Sequence, residues 1–102
     1  MAYFNKLVRD RIPEIMDKAG EKAVFKEMND AEYRRCLEEK LDEEVAEFHE
    51  SNQLDELADI LEVVYALSEA YGQPVDELMA AYRKKHEERG GFSKKILLTG
   101  KE

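Results

Sequence analysis

The sequence predicts an all-α domain, a helical bundle organised around one antiparallel pair of helices. Three observations carry that expectation. Apolar residues recur at helical spacing in four separate stretches. Gly, Pro, Asn or Ser stands where those stretches begin or end. Two consecutive acid-rich runs, "KLDEEVAEF" (Lys40–Phe48) and "DELADILEVVYAL" (Asp55–Leu67), both read as helix.

In "RIPEIMDKAG", Ile12, Ile15, Met16 and Ala19 fall at helical spacing and Gly20 supplies a stop, which predicts a short first helix. The segment 22–28 is short and β-tolerant, and 94–99 ("KKILLT") has the same character. A small β pairing between the two is therefore expected beside the helices. The second helix follows, with Asn29 as N-cap and Glu32 three residues on, a capping-box arrangement. Ser51 and Asn52 break it, and a third helix runs from Gln53 to Tyr71, ended by Gly72. Pro74 opens a fourth, which reaches Arg89 before Gly90 and Gly91. So short a break after Ser51 makes helices two and three antiparallel neighbours.

At 102 residues the whole chain, 1–102, is expected to be a single helical domain. A hydrophobic fraction of 43% argues against disorder, and no apolar run is long enough to cross a bilayer. With one cysteine, Cys36, no intramolecular disulfide can form. Together with the lack of a signal-peptide pattern, this makes the cytoplasm the expected location. The net charge of −8 argues against nucleic acid or an anionic membrane as partner.

The charge is unevenly placed. Between Glu38 and Glu62 there are eleven acids against one base, Lys40, while bases gather near both ends. On the second helix Leu37, Leu41, Val45 and Phe48 form an apolar stripe, and Glu44 falls roughly 20° outside it. On the third the apolar arc covers roughly 220°, with Glu56 inside it and Asp59 just past its edge. An arc that wide needs more cover than one partner helix supplies, so a homo-oligomer is expected.

Glu47 and Glu56 stand five before and four after Asn52, and Glu44 and Asp59 stand eight before and seven after. Across an antiparallel turn these pairs meet level for level, and each i, i+3 spacing keeps its two acids on one face. Four acids converging beside Leu and Val repel one another and are partly desolvated. A hard divalent cation removes that cost, and carboxylate oxygens suit Mg²⁺, with Mn²⁺ as the alternative. No histidine or cysteine joins the cluster, which argues against zinc.

Lys40, Glu43, Glu44 and Glu47 (K-x-x-E-E-x-x-E), with Glu56 and Asp59 (E-x-x-D), resemble the all-α nucleoside triphosphate pyrophosphohydrolases. These comprise the MazG-type enzymes and their relative, the phosphoribosyl-ATP pyrophosphohydrolase of histidine biosynthesis. The stretches "YFNKLVRDRIPEIM" and "RGGFSKKILL" are similar to a small MazG-like subgroup, so the likeness spans nearly the whole chain. The resemblance implies a helical bundle assembling as a homodimer or homotetramer. It also implies Mg²⁺-dependent cleavage of the α–β phosphoanhydride bond of a nucleotide, giving monophosphate and pyrophosphate in a housecleaning role.

Carried over by position, Glu44, Glu47, Glu56 and Asp59 match the metal ligands, and Glu43 and Glu44 are the candidate catalytic acids. Lys6, Arg9, Lys40, Arg83 and Arg89 are the candidate substrate contacts, with Arg9 and Arg89 preferred for phosphate. The gap between Glu47 and Glu56 is short beside several relatives, which leaves less room for a base-recognising loop. Two alternatives stand beside this expectation: phosphoribosyl-ATP hydrolysis, and a non-catalytic helical interaction module. His49, His86 and Cys36 read as ordinary surface or filler positions, and the helical tyrosines as core.

Overall fold

The computed structural model describes residues 5–102, so Tyr3 and Phe4 of the first matched stretch lie outside it. The described chain is all-helical: α1 (Ile12–Lys18), α2 (Asp30–Ser51), α3 (Leu54–Ala70) and α4 (Val75–Arg89).

Each helix ends for a local reason. Pro13 sits in the first turn of α1, where its missing N–H is not needed. Gly20, at φ 84°, then turns the chain, and Glu21 N–H reaches Met16 O at 2.9 Å. Asn29 caps α2, its Oδ1 accepting from Glu32 N–H at 2.9 Å. The expected capping box is only half made, because the Glu32 carboxylate instead faces Lys26 Nζ at 3.5 Å.

Asn52 closes α2 in the left-handed conformation, φ 54° and ψ 29°, its N–H on Phe48 O at 2.7 Å. Gln53 then takes the N-cap position of α3 directly, and it makes no side-chain cap. Gly72, at φ 84°, ends α3, and Pro74 stands before α4. Gly90, at φ 78°, ends α4.

The two-residue turn at Asn52–Gln53 lays α2 along α3, and this pair is the centre of the molecule. Tyr71, just past α3, donates its hydroxyl to Glu38 at 3.2 Å and lies under the Arg34 guanidinium at 5.7 Å. The far end of α3 therefore meets the first half of α2. α4 leans on α3 alone, and α1 packs on no other helix.

The core is thin. Among the described residues only Leu37 and Val63 are buried apolar side chains, at 3% and 7% exposure. Among the described residues Glu44 is the one buried charged side chain, at 6%. No helix of the described residues is long and apolar enough to cross a membrane.

The expected pairing of 22–28 with 94–99 is not formed. No strand occurs among the described residues, and the large apolar side chains Val24, Phe25, Ile96, Leu97 and Leu98 stand in solvent, Val24 at 86% and Leu97 at 85% exposure. An isolated two-stranded pairing is marginal in water unless a helix packs on one face, and no helix covers Val24, Phe25, Ile96 or Leu97.

Candidate metal centre

The two-residue turn decides the site. Because α2 reverses at Asn52 and α3 begins at once, residues equidistant from the turn face one another. Glu44 and Glu47 on α2 meet Glu56 and Asp59 on α3. One carboxylate oxygen of each lies within 4.8 Å of one from every other. The four acids singled out by spacing are the four brought together.

They differ in environment. Glu44 is buried, Glu56 and Asp59 are half-buried, and Glu47 faces solvent. Lys40, one turn back on α2, stands 3.5 Å from Glu44 Oε1. Glu44 Oε2 is buried and has no hydrogen-bond partner. Burial pushes the Glu44 carboxyl above the usual carboxylate range. Glu47 beside it pushes further the same way, Lys40 pulls back, and Asp59 adds a smaller upward push. A buried carboxylate with an orphaned oxygen, among three other acids, is the arrangement a hard cation would relieve. The donor set is oxygen throughout, which fits a divalent ion of the Mg²⁺ or Mn²⁺ type and suits no soft metal.

Arg9 reaches this cluster from the segment before α1. Its Nη2 lies 2.6 Å from Asp59 Oδ1 and its Nη1 3.4 Å from Glu62 Oε1. A guanidinium thus stands at the edge of the acid cluster, holding one of its members. A groove of about 400 Å³ opens beside it, with Leu7, Ile12, Leu37 and Val63 among its walls and Glu44 and Asp59 at its acidic end. Tyr33 also lines this groove, and burial, with Asp10, Glu69 and Glu62 nearby, raises its hydroxyl pKa.

The remaining candidates fare differently. Glu43 is outside the cluster, well exposed, with Lys40 at 3.7 Å. Lys40 therefore stands between Glu43 and Glu44 and lines the groove. Lys6 is exposed and does not line the groove. Arg83 and Arg89 are exposed on α4, which touches only α3, and neither is paired with an acid of the cluster.

Glu62 is not among the acids that spacing singles out, although its place three residues beyond Asp59 puts it on the same face of α3. Its part depends on Arg9, which comes from a segment about fifty positions earlier, and helical spacing carries no trace of that contact.

The chain matches no family profile and no solved structure. An uncharacterized protein of Mycolicibacterium smegmatis is 46% identical over 50 residues, which is 49% of this chain and 51% of that protein. The chain thus spans about half the length of the curated relative it matches. That likeness brings no activity with it.

Proposed function

We propose that this chain is a Mg²⁺-dependent nucleoside triphosphate pyrophosphohydrolase. The observation that carries the reading is the convergence of Glu44, Glu47, Glu56 and Asp59 on one point, with a buried oxygen of Glu44 unpartnered. Likeness to the K-x-x-E-E-x-x-E and E-x-x-D pattern supports the same chemistry.

In this reading the four carboxylates hold the ion, with Mn²⁺ as a substitute. When bound, the ion neutralises a polyphosphate and lowers the pKa of a water. The chain's own groups do the rest. Lys40 stands 3.5 Å from Glu44 and keeps that carboxylate turned toward the cluster. Glu43, exposed and 3.7 Å from Lys40, positions the lysine rather than touching substrate. Arg9 exchanges Asp59 and Glu62 for a phosphate oxygen when the triphosphate enters, since its pairs are solvent-exposed and easily traded. The apolar walls of the groove, Leu7 and Ile12 among them, lie next to the acids and receive the nucleoside.

A second copy covers the exposed apolar side of the helical pair, where Val45, Leu54, Leu57 and Leu61 stand 36–78% exposed. Self-association of this kind agrees with the wide apolar arc of α3.

The test is a nucleotide panel with Mg²⁺, assayed separately for pyrophosphate and orthophosphate. Pyrophosphate is expected from at least one triphosphate, and Glu56→Gln is expected to reduce its release by at least 100-fold while leaving helicity intact. Orthophosphate as first product would mean that another bond is cut. No product from any nucleotide would leave the acids without this role.

A further inference from the structure

We propose that Arg9 is an internal competitor for the metal centre: it gives up Asp59 when a divalent cation binds and stays on Glu62, which holds it beside the site. This competition rests on the reading of Glu44, Glu47, Glu56 and Asp59 as a cation site, and needs no particular substrate.

The first ground is that one carboxylate has two claimants. Asp59 belongs to the four-acid cluster, and its Oδ1 accepts from Arg9 Nη2 at 2.6 Å. The cluster itself points to a cation through Glu44, which is 6% exposed and whose Oε2 is buried without a partner. A guanidinium on Asp59 offsets part of the negative charge that an ion needs. It also sets a positive charge beside the place where two more would arrive. Arg9 and the ion therefore oppose each other through Asp59, each weakening the other's hold.

The second ground is the difference between the two arms of Arg9. Its Nη1 reaches Glu62 at 3.4 Å, and Glu62 lies outside the cluster. Asp59 and Glu62 are three residues apart on α3, so one guanidinium spans both. An ion that takes Asp59 leaves the Glu62 arm in place. Glu62 is thus a positioning residue, keeping the guanidinium at the edge of the centre with Nη2 freed for a phosphate oxygen. The exchange of Arg9 onto a triphosphate then runs in two steps, Asp59 yielded to the ion and Glu62 to the phosphate.

The third ground is what these pairs hold. Among the described residues they are the only side-chain hydrogen bonds or ion pairs joining residues 5–21 to α2 or α3. The same segment supplies Leu7, Ile12 and Ile15 to the wall of the groove, and its helix α1 packs on no other helix. Arg9 therefore carries the state of the metal centre to that wall, and Glu62 keeps the wall in place once Asp59 is taken.

Two measurements on the full chain without nucleotide test this. The first is calorimetric titration with Mn²⁺ at one neutral pH. Arg9→Ala should bind the ion about three- to fivefold more tightly than wild type, the upper end of what an exposed ion pair contributes. Arg11→Ala removes the same charge from the same groove, but Arg11 pairs with Glu14, so this variant should bind as wild type does. Arg9→Ala binding no more tightly than Arg11→Ala would overturn the competition, while binding that Glu56→Gln abolishes would leave the cation site standing. Wild-type binding that survives Glu56→Gln, or no binding in any variant, would sink the cation site and the competition together.

The second measurement follows the Arg9 side-chain Nε–H signal by nuclear magnetic resonance, assigned by its loss in Arg9→Ala. Saturating Mg²⁺ should shift it in wild type yet keep it distinct from the exposed arginines. In Glu62→Gln the ion should collapse it onto them. A signal that Mg²⁺ leaves unmoved would overturn the competition, and collapse in wild type would overturn the part given to Glu62.

Discussion

Glu44 is buried at 6% exposure, with one oxygen facing Lys40 and the other buried without a hydrogen-bond partner among three further acids. Its raised pKa has a consequence for stability. The folded state holds this proton to higher pH than the unfolded chain does, so without added metal the contribution of Glu44 to stability is greatest at low pH. It declines as pH rises through the window from the ordinary carboxylate value to the raised one. Glu44→Gln should remove that slope. At neutral pH, without metal, it should stabilise the fold, because it removes a buried charge repelled by Glu47 and Asp59 and puts an amide N–H beside their oxygens. Urea unfolding at pH 4 and pH 8 reads both effects, and a variant as pH-sensitive as wild type would refute the assignment. Arg9 makes the contrasting case. Its pairs with Asp59 and Glu62 are more than a third exposed, so Arg9→Ala should shift stability by less than about 1 kcal/mol. It should instead raise KM for a triphosphate. A large loss of stability would make Arg9 a structural strut rather than a substrate contact.

The helices are specified by their ends as much as by their faces. Asn29 satisfies an N–H at the start of α2, and Asn29→Ala should cost about 1 kcal/mol in thermal or urea melts. Asn52 matters more for function, because its left-handed backbone reverses the chain in two residues and thereby sets which acids face each other. Asn52→Gly keeps that conformation and should leave the melting temperature within a degree or two of wild type. Asn52→Val, unable to adopt it cheaply, should cost about 1–2 kcal/mol. It should also weaken metal binding out of proportion to the lost helix. Equal behaviour of the two variants would mean that another feature sets the register of α2 on α3.

The chain is long, thinly packed and rich in exposed apolar residues, with Leu37 and Val63 as the buried apolar pair among the described residues. With so little buried surface, a bound ion can be a large share of its stability. Mg²⁺ at a hundredfold excess over its dissociation constant should add about 2.7 kcal/mol. For a domain this size that is a rise in melting temperature of about 10 °C or more. Calorimetric melts with and without the ion check this, and Glu56→Gln should abolish the rise. An equal rise in the variant would place the ion elsewhere.

Four helices, their order and the four acids that meet could all be read along the chain. Each depends on contacts between near neighbours: period, caps, and distance from a tight turn. Spacing alone was enough to bring Glu47 to Glu56 and Glu44 to Asp59. The role of Arg9 and the enlistment of Glu62 could not be read this way, because a segment some fifty residues upstream must fold back to α3 before either exists. Helical periodicity also gave no hint that 22–28 and 94–99 stay apart, since both segments have the composition of partners. What composition does not show is the lack of a packed face to hold them together, since no helix covers either. Local chemistry thus wrote the helices and the acidic pairs into the sequence, while long-range chain geometry decided what reaches them and what is left uncovered.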